Sequence, residues 1–225
     1  MNYNLLRDAM NRSVDPEILE RGDVPDALAV RAYRDLTRIH RFLGDTRLIV
    51  AALRRDPLPV RRVMDVGCGH GGVLADVRKQ LGVEVVGVDV KSPGALNGSF
   101  PFLQADATRD PLPMADVAFS MYLGHHLSDE GLVALIRNVG RSCRRFILLD
   151  LVRHRLPLAL FRVFLAPLAS PIVAVDGGIS IRRSYTRSEL ECLVGKALAG
   201  SASRFRHSIA PLWIRQVADI SYAPD

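Results

Sequence analysis

The stretch Val63-Met-Asp-Val-Gly-Cys-Gly-His-Gly-Gly72 constrains this chain more than any other. A short apolar run of β type ends in a carboxylate and passes into a glycine-rich turn. A helical pattern follows at once, Val73-Leu-Ala-Asp-Val-Arg-Lys-Gln-Leu81, closed by Gly82. A strand that feeds such a turn into a helix N-terminus brings bare backbone close to a ligand and aims free N–H groups at it.

The chain on either side repeats the alternation. Strands are expected at 62–66, 83–90, 100–106, 115–122 and 145–151, with helices at 71–81 and 130–139 between them. Apolar strands spaced by helices imply a parallel sheet covered on both faces. Ahead of this unit, a helix from Asp26 carries Leu28, Ala32, Leu36, Ile39 and Leu43 on one face and Arg31, Arg34, Arg38 and Arg41 on another. Gly44 stops it, and Asp45 or Thr46 is expected to cap a second helix to about Leu53. Residues 1–25 are polar and read as a loosely held arm. Beyond the fifth strand come an apolar run at 156–175 and the turn-like Asp176-Gly-Gly178. The capping box Thr186-x-x-Glu189 then opens a helix, and a final strand pair flanks Pro211. One domain is expected, in four parts: an N-terminal arm and helical cap (1–59), a ligand-binding core (60–155), an apolar lid (156–185) and a terminal helix with two strands (186–225).

Composition bounds the function classes. The 225 residues carry 30 Lys and Arg against 24 Asp and Glu, a charge of +6. That surplus is mild, and aromatics are 6%, which argues against a nucleic-acid partner. Cys68, Cys143 and Cys192 lack metal-ligand spacing, so reduced thiols in a cytoplasmic protein and no metal are expected. Arg162 and three prolines interrupt the apolar run, which excludes a spanning helix there but leaves room for peripheral membrane contact. A monomer and a homodimer are both compatible with the sequence.

Gly67, Gly69 and Gly72 match G-x-G-x-x-G, which by itself suits a nicotinamide dinucleotide equally well. Asp65 separates the two readings. A dinucleotide fold keeps an apolar residue there, and a buried carboxylate is costly without a partner such as a ligand amino group or a nearby loop. Asp89 and Asp106 end the next two strands and add two more acceptors at the same edge.

With these residues in place, the chain resembles the class I S-adenosylmethionine-dependent methyltransferases. Asp65-Val-Gly-Cys-Gly-His-Gly71, Val86-Gly-Val-Asp89, Gln104-Ala-Asp106 and Asp116-Val-Ala-Phe119 look like the four motifs of that family. The resemblance implies a Rossmann-like α/β fold with a mostly parallel seven-stranded sheet, helices on both faces, and S-adenosylmethionine as cofactor. It assigns Asp65, Gly67, Cys68 and Gly69 to the methionine end, and Asp89 with Val90 to the ribose. Asp106 and Ala107 fall at the adenine, and Ser120 on the fourth strand belongs to the same set.

A narrower resemblance rests on Ala32 to Leu43, His125-His-Leu-Ser-Asp-Glu130, Leu149 to Arg153 and Asp176 to Thr186. These segments are similar to methyltransferases encoded beside type III polyketide synthases, which methylate alkylresorcinol-type phenolic lipids. The implied acceptor is an apolar polyketide-derived small molecule. His126 and His125 are the leading candidates for the base that takes a phenol's proton. Tyr122 and His40 are expected beside the substrate, with Phe161 and Phe164 in a lid for its apolar tail. C-methylation of a prenylated quinone and a non-catalytic cofactor-binding regulator are the alternatives.

Overall fold

The computed structural model describes residues 10–21, 24–91 and 100–223. Its frame is a seven-stranded sheet in the order β3-β2-β1-β4-β5-β7-β6. The strands are β1 (Arg62–Val66), β2 (Glu84–Asp89), β3 (Phe102–Gln104), β4 (Val117–Met121), β5 (Arg145–Leu151), β6 (Arg204–Ile209) and β7 (Arg215–Ser221). The first five run parallel; β7 pairs antiparallel with β5 and with β6. The strand order reverses between β1 and β4, the position at which open parallel sheets bind ligands.

Alternation within each central strand sends side chains to two separate cores. On one face Met64, Val86, Ala118, Phe146 and Leu148 pack against α4 (Asp129–Gly140) and α7 (Arg187–Leu198). On the other, Val63, Val85, Phe119, Ile147 and Leu149 pack against α2 (Asp45–Arg54) and α3 (Gly72–Leu81). Both capping-box bonds are present at Thr186 and Glu189, so α7 starts where its sequence signal places it. Helix α1 (Asp26–Leu43) ends on Gly44, whose left-handed φ of +73° also opens α2.

Three local expectations are corrected. Asp45 makes no cap bond, and neither does any other side chain at the start of α2. Its carboxylate instead faces His40, Tyr122 and Arg215. Asp176-Gly-Gly178 is no turn but lies within α6 (Pro171–Arg183). A Cβ at Gly177 would lie 2.3 Å from the Phe161 ring, so this glycine serves close packing rather than chain reversal. The described part of the arm, residues 10–21, is firmly held. Arg12 donates to the carbonyls of Arg183 (2.7 Å) and Leu127 (2.8 Å) and to Asp129 (2.9 Å), and it stacks 3.9 Å from the Tyr185 ring. Asp176 accepts from the N–H groups of Ile18 and Leu19 at 2.7 and 3.1 Å. Polar residues expected in a loosely held arm, Arg12 and Glu17 among them, bind partners on the folded core.

The apolar run folds as α5 (Arg155–Leu160), a π turn (Phe161–Leu165), a 3₁₀ turn (Ala166–Leu168) and α6. Leu158, Phe161 and Ile181 form a small core of their own, while Val163, Phe164 and Leu168 stand exposed. Among the described residues no helix is long and apolar enough to cross a membrane.

Candidate active site

Gly67, Gly69 and Gly71 adopt φ values of +77°, +50° and +72°, so the turn after β1 is built from backbone that L side chains rarely accept. The turn is bound to the end of β2: Gly67 N–H donates to the Val88 carbonyl at 2.8 Å, and Gly69 N–H to Asp89 Oδ2 at 2.9 Å. Asp89 Oδ1 takes a second bond from Lys91 N–H at 3.0 Å. A carboxylate has about four lone-pair sites, so Asp89 keeps capacity for further donors. Asp65 lies beneath the turn, 3% exposed. Burial, reinforced by the charge of Asp89, pushes its carboxyl well above the ordinary range. Cys68 is buried against Gly87, and burial likewise pushes its thiol up. Val90 is exposed just past Asp89. Asp106 turns its carboxylate into its own loop, accepting from the Thr108 hydroxyl (2.7 Å) and N–H (3.0 Å), which holds it below the usual carboxylate range.

Helix α1 lies over this edge. Tyr33 meets His70 edge to face at 4.3 Å, and burial together with the Asp89 charge pushes the Tyr33 phenol up. Seven residues on, His40 stacks on Tyr122 at 4.5 Å, at the end of β4. Seven helical residues span ~10.5 Å and return to the same face. β2 and β4 flank β1, two strand spacings or ~9.6 Å apart. One face of α1 therefore reaches from the end of β2 to the end of β4.

The sequence-selected residues at the end of β4 fall into two groups. In the first, His40 Nδ1 lies 3.0 Å from Asp45 Oδ2, and the Tyr122 hydroxyl donates to that same oxygen at 2.7 Å. Arg215 binds Asp45 Oδ1, and Asp45 is fully buried. A carboxylate at Nδ1 fixes the proton there and leaves His40 Nε2 as an acceptor. Tyr122 has a φ of +58°, a conformation costing about 1–3 kcal/mol outside glycine. The fully buried Ser120 Oγ, two residues earlier, has no hydrogen-bond partner among the described residues.

The second group surrounds the other two histidines. His125 is buried; its N–H and its Nδ1 meet the two oxygens of Asp150 at 2.8 and 2.7 Å, and Nε2 lies 3.5 Å from Glu17 Oε1. Burial opposes charge on that ring, but Asp150 and Glu17 overcome it and push its pKa up to about 9. His126, half-buried, places Nδ1 2.5 Å from Glu20 Oε1. Burial and then the neighbouring His125 charge hold His126 below its ordinary value. The two histidine groups differ in openness: His125 has both ring nitrogens facing carboxylates, whereas among the described residues His40 has a partner at Nδ1 alone. Phe161 is buried against Gly177, and Phe164 points outward.

Sequence reasoning missed Tyr33, Asp45, Asp150, Glu17 and Glu20. Asp150 carried a usable signal, since it ends a parallel strand as Asp65 and Asp89 do. The others approach through tertiary contacts that no local pattern encodes. A cleft of about 1070 Å³ opens at the opposite edge, lined by Arg55, Asp56, Arg144, Arg145, Asp219 and Tyr222. It lies at the strand starts and takes no part in this site.

Residues 63–145 match the family described as "Methyltransferase domain". Solved structures share the fold. The plantazolicin methyltransferase BpumL in complex with a monoazolic desmethylPZN analog and SAH aligns with a TM-score of 0.69 at 14% identity, covering 88% of this chain and 91% of that one. The S-adenosylmethionine-dependent methyltransferase SibL aligns at 0.62 and 16%, covering 94% and 64% respectively. The methyltransferase domain of bacterial CtHen1-CN aligns at 0.56 and 18%, covering 79% and 97%. No curated protein sequence matches the chain. The fold is the Rossmann-like class I methyltransferase fold. The match to a methyltransferase domain over residues 63–145 falls on the part of that fold that carries the glycine turn, which points to S-adenosylmethionine as the cofactor.

The residues present fit that cofactor. The glycine turn admits close backbone approach, the orphaned Ser120 hydroxyl offers a polar contact, and Asp89 retains acceptor sites suited to a vicinal diol.

Proposed function

We propose that the chain methylates a phenolic oxygen of an apolar, polyketide-derived small molecule, with His40 as the base. The observation that carries this reading is the His40–Asp45 pair stacked on Tyr122 at the end of β4. When bound, the cofactor supplies an electrophilic methyl carbon. On this reading Asp65 and the backbone of Gly67, Cys68 and Gly69 hold its methionine end. Asp89 and Val90 hold the ribose, Asp106 and Ala107 border the adenine, and Ser120 faces the remaining polar group.

Neutral His40 takes the phenol proton on Nε2 while Asp45 stabilises the imidazolium that results. A phenol of pKa ~10 is a poor nucleophile at neutral pH, and a positioned base of this kind contributes about 10²–10⁴-fold. His126, which sequence ranks first, has its Nδ1 on Glu20 and belongs with His125 to the arm-facing group. In this proposal His126 and His125 shape the acceptor side rather than take the proton. Exposed Phe164, Val163 and Leu168 offer an apolar surface for the acceptor's tail.

The test is incubation with methyl-labelled cofactor and a panel of resorcinols, prenylated quinones and RNA, read by mass spectrometry and product NMR. A new O-methyl signal on a resorcinol supports the proposal. A ring-carbon methyl on a quinone replaces it with C-methylation, and cofactor binding without any product makes the chain a non-catalytic regulator.

A further inference from the structure

We propose that Glu17, His125 and His126 form a binding site for a divalent metal ion of the zinc class, where the N-terminal arm meets the turn after β4. Each residue offers one ligand atom, and the three atoms lie within 4.8 Å of one another. Glu17 Oε1 and His125 Nε2 are already 3.5 Å apart. Two ligands on a tetrahedral zinc, each bonded at 2.0–2.2 Å, stand roughly 3.3–3.5 Å from one another.

The surroundings of the three groups match what metal ligation requires. A ligating histidine ordinarily gives its second ring nitrogen to a carboxylate or carbonyl, which fixes the tautomer and aims the ring. Both histidines have that partner: Asp150 Oδ1 at 2.7 Å from His125 Nδ1, and Glu20 Oε1 at 2.5 Å from His126 Nδ1. His125 would bind through Nε2, the ion replacing the proton that this nitrogen shares with Glu17 Oε1, and His126 through one ring nitrogen. The rings lie 4.1 Å apart with a tilt of 36°. Glu17 is itself oriented by the Ser180 hydroxyl, which donates to Oε1 at 2.6 Å. Arg183 binds Glu20 Oε2 at 2.6 Å and holds the outer carboxylate in place.

Two imidazoles and one carboxylate form a donor set suited to zinc, and three protein ligands leave a fourth position open. Glu17 and His125 are 7% and 3% exposed, so the ion would sit away from bulk water. An ion here fastens the arm to the turn after β4. This site is separate from the His40–Asp45 pair, and its existence does not depend on the acceptor.

The test uses the full chain, stripped with a chelator and titrated with Zn²⁺ by calorimetry, while histidine ring nitrogens are followed by two-dimensional NMR. The expected result is one ion per chain, with the ring signals of His125 and His126 moving and those of His40 and His207 staying in place. Glu17→Gln should weaken binding at least tenfold, and Asp150→Asn by about 10–100-fold, the usual effect of losing an outer-shell partner. Stationary His125 and His126 signals overturn the proposal and leave a proton shared between His125 and its two carboxylates. Uptake that Glu17→Gln leaves unchanged overturns it as well. Should that variant fail to fold, the ring signals of the unmutated chain decide.

Discussion

The hydroxyl of Tyr122 donates to Asp45 Oδ2 at 2.7 Å, joining the end of β4 to the start of α2 across the mouth of the site. That bond secures a tyrosine whose backbone is left-handed and keeps a buried carboxylate satisfied between His40 and Arg215. Tyr122→Phe removes the donor and keeps the ring. The expected loss is about 1–3 kcal/mol of stability, the cost of withdrawing one partner from a buried charged group. Urea unfolding of the two proteins measures it, and an unchanged midpoint would show that Arg215 and His40 suffice.

Asp89 braces the glycine turn through Gly69 and, in the proposed function, holds the ribose as well. Asp89→Ala should therefore weaken cofactor binding by about 1.5–3 kcal/mol for each charge-assisted bond lost. Calorimetry with S-adenosylhomocysteine reads this directly. Equal affinity would place the ribose elsewhere.

Asp65 carries a pH signature. Its carboxyl is raised well above the ordinary value of 3.8 by burial and by Asp89, so the folded protein retains a proton that the unfolded chain releases. A raised folded pKa stabilises the fold fully below the unfolded value, and that stability is lost as pH rises through the folded one. The ligand-free protein should thus lose stability relative to Asp65→Asn as pH increases from about 4. Melting temperatures of both proteins across pH give the difference; parallel curves would show that the carboxyl is compensated.

Two glycines in helices should respond oppositely to alanine. A Cβ at Gly177 meets the Phe161 ring at 2.3 Å, whereas Gly195, exposed on α7, has nothing within 4 Å. Gly195→Ala should stabilise by about 0.5–1 kcal/mol through helix propensity. Gly177→Ala should destabilise, since overpacking of about 1–3 kcal/mol outweighs that gain. Thermal melts of the pair check the signs.

These cases show what a linear reading reaches. The parallel strands, the glycine turn and the α7 cap are local patterns, with the period of a strand or the spacing of a capping box, and the sequence displays them. Asp176-Gly-Gly178 carries the composition of a turn, yet its glycines exist to admit Phe161, a contact invisible along the chain. The polar arm misleads for the same reason, because Arg12 and Glu17 look solvated until Arg183, Ser180 and His125 meet them. His40 lies on a helix whose approach to β4 follows from the packing of α1, so its pairing with Asp45 and Tyr122 had no local signal.

The central claim is that His40, backed by Asp45, takes the acceptor's proton during methyl transfer. The most direct measurement is the turnover of a resorcinol acceptor by the unmutated chain and by His40→Gln, at saturating labelled cofactor. His40→Gln should lower kcat by about 10²–10⁴-fold with S-adenosylhomocysteine affinity unchanged. Full turnover by His40→Gln, with the loss appearing in His126→Gln instead, would contradict that claim.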